Sequence, residues 1–101
     1  MPDPTPLETM LASTKLSLRV STTSFDSEIT DLINAGLADL GLAGVTDDDM
    51  SDPLIKRAVI TYVELHFGEP DQYDRLKASY DEQKAQLSMA TGYTTWTEAT
   101  S

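Results

Sequence analysis

Few residues in this chain could do chemistry. His66 is the only histidine and there is no cysteine. Disulfides, thiolate metal sites and paired-imidazole sites are therefore excluded, and a Ser-His-Asp triad would have a single candidate base. His66 falls near the end of an apolar-periodic segment, where an imidazolium complements the negative end of a helix, and it reads as a structural or surface residue. The run Asp47-Asp48-Asp49 invites a calcium reading. Counted from Asp47, however, the glycine that an EF-hand loop needs at its sixth position is Asp52, and the glutamate needed at its twelfth is Ala58. Acidic solvation and capping of the next helix account for the run better. No phosphate-binding loop, dinucleotide fingerprint or nucleophile elbow is present. The sequence thus offers no catalytic residue, no metal ligand set and no cofactor site.

Two other features point to contact rather than catalysis. Lys56 and Arg57 form a basic pair at a helix start. A DNA-reading helix would need more bases and a less acidic setting. The pair can answer the acidic loop of its own chain or an acidic face on an adjacent copy, and both readings stand. Near the C-terminus, Tyr93 and Trp96, the sole tryptophan, sit among threonines and serine. Such a segment can add to a partner with its aromatics in pockets, or fold back on its own body.

The elements that must position these residues read as four helices and a tail. Thr5 and Glu8 form a capping box ahead of a helix from Pro6 to about Leu18, with Leu7, Met10, Leu11, Thr14 and Leu18 on one face. The segment Arg19 to Thr23 is a connector. A second helix starts near Ser24 to Asp26, capped by Thr23 or Ser24, and ends near Gly41 to Gly44; Phe25, Ile29, Leu32, Ile33, Leu37 and Leu40 form its stripe. Gly36 in its middle costs about 1 kcal/mol relative to alanine, and close approach of another helix is the expected reason. Val45 and Met50 are candidate plugs from the following loop. Asp52 caps a third helix, Pro53 to Phe67, in which Ile55, Ala58, Val59, Tyr62, Val63 and Phe67 recur at helical spacing, closed by Gly68 and Pro70. A fourth, polar helix runs from about Pro70 or Asp71 to Ser88 with Tyr73, Leu76, Tyr80, Gln83 and Leu87 as a thin stripe. Asp71–Arg75 and Asp81–Lys84 are its expected ion pairs. The fold class is all-α: a helical domain over residues 1–88 and an extended tail over 89–101.

Composition bounds the rest. At 101 residues the chain is one domain, able to bury roughly 60–70% of its unfolded surface. Seventeen acids against seven bases give a formal net charge of −10, unsuited to gripping phosphate backbones but compatible with avoiding them, and also with solubility alone. The N-terminal MPDPTPLETM has neither a basic segment nor an apolar run, so no signal peptide is expected, and no stretch approaches a membrane span.

The ordered set KLSLRVSTTSFDSEITDLINAGLADLGLAGV, Lys15 to Val45, and DPLIKRAVITYVELHFGEPDQYDRLKASYDEQKAQL, Asp52 to Leu87, resembles the small head-to-tail connector (adaptor) proteins of long-tailed bacteriophages. The resemblance implies a non-enzymatic all-α subunit of the virion neck, assembled in the bacterial cytoplasm. It implies a homo-oligomeric ring, twelvefold in the virion, below the portal protein. Such a ring extends the DNA channel without specific DNA binding, helps retain the genome and docks the next neck or tail protein. It places portal contact on the C-terminal segment, Thr91 to Ser101, with Tyr93 and Trp96 as anchors. Ring closure would use head-to-tail contacts between different subunit faces, with Lys56 and Arg57 as interface residues. The alternative is a small acidic helical binding or regulatory module acting as monomer or dimer.

Overall fold

In the computed structural model the described residues are 5–45, 52–68 and 71–89. They form four helices, as the sequence predicts: α1 (Pro6–Leu18), α2 (Asp26–Leu42), α3 (Pro53–His66) and α4 (Tyr73–Met89). The expected plug Met50, the acidic run Asp47–Asp49 and the tail residues Tyr93 and Trp96 lie outside the described residues; Val45 lies within them and is buried.

Local chemistry sets the helix ends. At α1 the Glu8 N–H donates to Thr5 Oγ1 at 3.1 Å and the Thr5 N–H donates to Glu8 Oε1 at 2.7 Å, completing the reciprocal box. Arg19 closes this helix in the left-handed region at φ 61°, and the Val20 N–H reaches back to the Lys15 carbonyl at 3.0 Å. Helix α2 departs from expectation. Its N-cap is Phe25, with no side-chain cap bond. Neither expected hydroxyl, of Thr23 or Ser24, caps it: Ser24 Oγ pairs with Thr22 Oγ1 at 3.1 Å, and Thr23 meets the helix through its carbonyl, which accepts the Asp26 N–H. At the other end Gly44 takes φ 94°, the Val45 N–H donates to the Leu40 carbonyl at 2.9 Å, and Val45 turns into the core. Asp52 caps α3 by accepting the Leu54 N–H at 2.8 Å.

Helix α3 packs against each of the other three, α1 also packs on α2, and α4 packs chiefly on α3. The core reflects this order. Met10 of α1, Ile29, Ile33 and Leu40 of α2, and Ile55, Ala58, Val59 and Val63 of α3 are buried, whereas α4 adds only Tyr80 and Leu87. Leu65 and Thr61 are also buried, beyond the stripe read from spacing; the Thr61 hydroxyl is satisfied by donating to the Arg57 carbonyl at 2.9 Å. Gly36 meets Tyr62 of α3, and a Cβ there would come within 3.1 Å of the ring. That is the close approach expected of a mid-helix glycine.

Candidate functional site

Lys56 and Arg57 stand on the first turn of α3, positioned by the Asp52 cap and by Pro53. Among the described residues neither makes an ion pair. Each flank of this turn is an open groove. One, of ≈ 550 Å³, lies between α1 and α3 and is lined by Ser17, Leu54, Lys56, Arg57, Ile60 and Glu64, among others. The other, of ≈ 430 Å³, lies between α3 and α4 against Leu54, Arg57, Glu82, Gln83 and Leu87. Leu54 and Arg57 belong to both, so they form a ridge between two hollows. Leu54 is 55% exposed, although it sits at the foot of the helix that buries the most side chains. Within the first groove the acid Glu64 is engaged, accepting the Ser17 hydroxyl at 2.7 Å.

A second cluster joins α2, α3 and α4. Tyr80 of α4 donates its phenol to Asp39 Oδ2 of α2 at 2.5 Å, and Lys84 Nζ reaches the same oxygen at 3.1 Å. Lys84 also lies 5.2 Å from the Tyr80 ring centroid, and Tyr62 of α3 packs edge-on against that ring at 5.4 Å. Burial and the bond to Asp39 push the Tyr80 phenol far above its ordinary range. At Asp39 burial pushes the carboxyl upward, but the hydrogen bonds from Tyr80 and Lys84, with the charges of Lys84 and His66, outweigh it and hold it below its usual 3.8. His66 itself is exposed at the last turn of α3, its ring 4.3 Å from that of Tyr62.

The cluster corrects two pairings expected on α4. Lys84 bridges to Asp39 instead of pairing with Asp81, because its side chain lies over Tyr80 toward α2; Asp81 instead takes Lys77 at 2.9 Å. Arg75 bonds Gln72 through Nε rather than pairing with Asp71. Spacing within one helix could not reveal the Asp39 link, since its partners are 41 and 45 residues away. The available signal was a tyrosine on an otherwise polar helix, whose hydroxyl needs an acceptor once buried.

These arrangements are fit for contact and cohesion. Among the described residues no group of three or more acidic, histidine or cysteine side chains could hold a metal ion, and no helix is long and apolar enough to cross a membrane.

No curated protein and no solved structure matches the chain. The sequence profile of one family does, over residues 10–94, a span that takes in the greater part of α1 and all of α2, α3 and α4. By this match over its four-helix body, the chain belongs to the phage connector protein family.

Proposed function

We propose that this chain is a structural, non-catalytic subunit of the phage neck, forming a ring below the portal. The ring extends the DNA channel, helps retain the packaged genome and docks the next neck or tail component. The observation that carries this reading is the connector-family match, which spans the helical body. Two physical features support it. The Leu54–Arg57 ridge presents positive charge that makes no ion pair among the described residues, beside an exposed leucine on a chain of net charge −10, as expected of a face that meets another face of the same chain. The acidic balance suits a channel that must not hold phosphates. The segment Thr91 to Ser101, with Tyr93 and Trp96, is the portal-reaching arm in this reading, and residues 1–88 are the ring-forming body.

The test is native mass spectrometry with negative-stain imaging, over a concentration series and with the cognate portal. A closed ring with a central hole, formed alone or on the portal, is the expected result. A species of 11.0 kDa under every condition overturns the reading. Removing Thr91 to Ser101 is expected to leave helical circular dichroism nearly intact and to abolish portal binding. Cooperative loss of the fold would instead assign the tail to the core.

A further inference from the structure

We infer that the basic ridge at the start of α3 docks on the solvent face of α2 in a second copy of this chain. The inference rests on the ring reading and specifies the two surfaces that meet. Helix α2 carries four acids, Asp26, Glu28, Asp31 and Asp39, and no lysine or arginine. Two of them are satisfied within the chain, Asp26 by Lys15 at 2.7 Å and Asp39 by Lys84 at 3.1 Å. Glu28 and Asp31 are exposed and make no ion pair among the described residues.

They begin a stripe at helical spacing, Glu28, Asp31, Asn34, Ala38, Gly41 and Leu42, every member of it exposed. The side chains between the acids and Leu42 are small, leaving a shallow track that another helix can approach. A Cβ at Gly41 would meet nothing within 4 Å, so packing inside the chain does not require that glycine. Leu42 at the end of the track is 89% exposed.

The complementary surface is the ridge. Lys56 and Arg57 make no ion pair among the described residues, and Leu54 supplies an apolar contact beside them. A chain's own ridge cannot serve its own α2, because the hollows flanking it are lined from α1, α3 and α4 and include no α2 residue. The dimensions agree. Asp31 and Ala38 are two helical turns apart, about 10 Å, while Leu54 and Arg57 are about 4.5 Å apart along their axis, and the long arginine side chain spans the remainder. Leucine on the small-residue track thus leaves the guanidinium and ammonium at the acids. The two patches are different surfaces of one subunit, so the contact repeats from copy to copy instead of closing a dimer.

Charge reversal in two variants tests this. E28K/D31K makes the track basic, and K56E/R57E makes the ridge acidic; neither touches a core residue or a cap. Each alone is expected to raise the concentration needed for assembly by at least about tenfold, most strongly at low salt. For E28K/D31K the loss runs against overall charge, since net charge changes from −10 to −6 and general repulsion falls. An equimolar mixture of the two variants is expected to restore assembly, because each ridge then finds an opposite track in alternation. D71K/D74K, which makes the same charge change at the start of α4, is expected to leave assembly intact. Circular dichroism confirms that each variant is folded.

Assembly by the wild type, alone or on the portal, without rescue in the mixture overturns the pairing and leaves the ring standing. Equal loss in D71K/D74K likewise overturns the pairing. A wild type that fails to assemble under both conditions overturns the ring and the pairing together.

Discussion

Asp39 shows how one side chain can tie together helices that barely meet. Its carboxylate accepts from Tyr80 and Lys84 while staying partly in reach of water, so its charge is stabilised by donors without the full cost of burial. Its folded pKa lies below 3.8, so its contribution to stability is present above that value and is lost as pH falls through the lower, folded value. Tyr80 behaves in the opposite sense. Its phenol is raised, so its contribution is full below pH 10.0 and declines above it. Asp39→Asn is therefore expected to cost about 1–2 kcal/mol near neutral pH, since the amide keeps the shape but loses the charge-assisted bonds. Urea unfolding of wild type and variant from pH 2 to 7 checks this. The difference should shrink toward zero at the acid end, and a gap independent of pH would mean that the carboxylate charge plays no part.

At the scale of elements, the helices that own a wide apolar stripe were legible in the sequence, and those that depend on a neighbour were legible only in part. The first helix is specified by Thr5, Glu8 and Pro6 and runs over the residues its spacing predicts. The third is specified by Asp52, Pro53 and an apolar stripe, and differs from expectation by one residue at its end. Gly36 also announced its role, because close approach is the expected reason for a costly glycine in mid-helix, and Tyr62 makes that approach. The second helix starts at Asp26, within the expected bounds, but its cap did not read correctly, since Phe25 stands at the N-cap while Thr23 and Ser24 engage in a turn ahead of it. The ion pairs of α4 were misread for a related reason: spacing within a helix reports neighbours on that helix and is blind to an acceptor on another. The ridge at Lys56 and Arg57 was legible as a basic pair, but the grooves beside it and the acidic track of α2 needed the packed helices to appear. The same contrast in burial predicts dynamics. Helix α4 contributes Tyr80 and Leu87 to the core and rests chiefly on α3, whereas α3 is in contact with every other helix. Amide hydrogen exchange under native conditions is expected to release α4 well before α3, with protection in α4 falling further in Leu87→Ala. Equal protection across the four helices would show instead that α4 opens only with the whole domain.

For the molecule as a whole, charge decides what the surface refuses as much as what it accepts. Binding to duplex DNA draws its strength from bases that displace counterions, and each contact adds to the salt dependence. Seven lysines and arginines face seventeen acids here, and three of the lysines are already engaged with Asp26, Asp81 and Asp39. The basic pair of half-buried Lys56 and exposed Arg57 is too small a footprint to hold a duplex against the surrounding acids, and docking on a neighbour would remove it from contact with DNA altogether. The purified protein is therefore expected to leave a fluorescent duplex unbound at low ionic strength, at concentrations where an ordinary basic DNA-binding domain saturates. Fluorescence anisotropy of a labelled 30-base-pair duplex, titrated at about 50 mM salt, measures this directly. A rise in anisotropy that weakens steeply with added salt would show that the chain concentrates its few bases into a phosphate-gripping surface, and a passive acidic channel wall could not then be its contribution. No rise, under conditions where the protein assembles, is the outcome that the proposed DNA-conducting ring requires. In that case E28K/D31K, made basic on α2, also becomes informative about geometry. If the track is covered by the neighbouring ridge in mixed rings with K56E/R57E, its added lysines stay shielded and anisotropy stays low; the unassembled E28K/D31K protein leaves them open to the duplex.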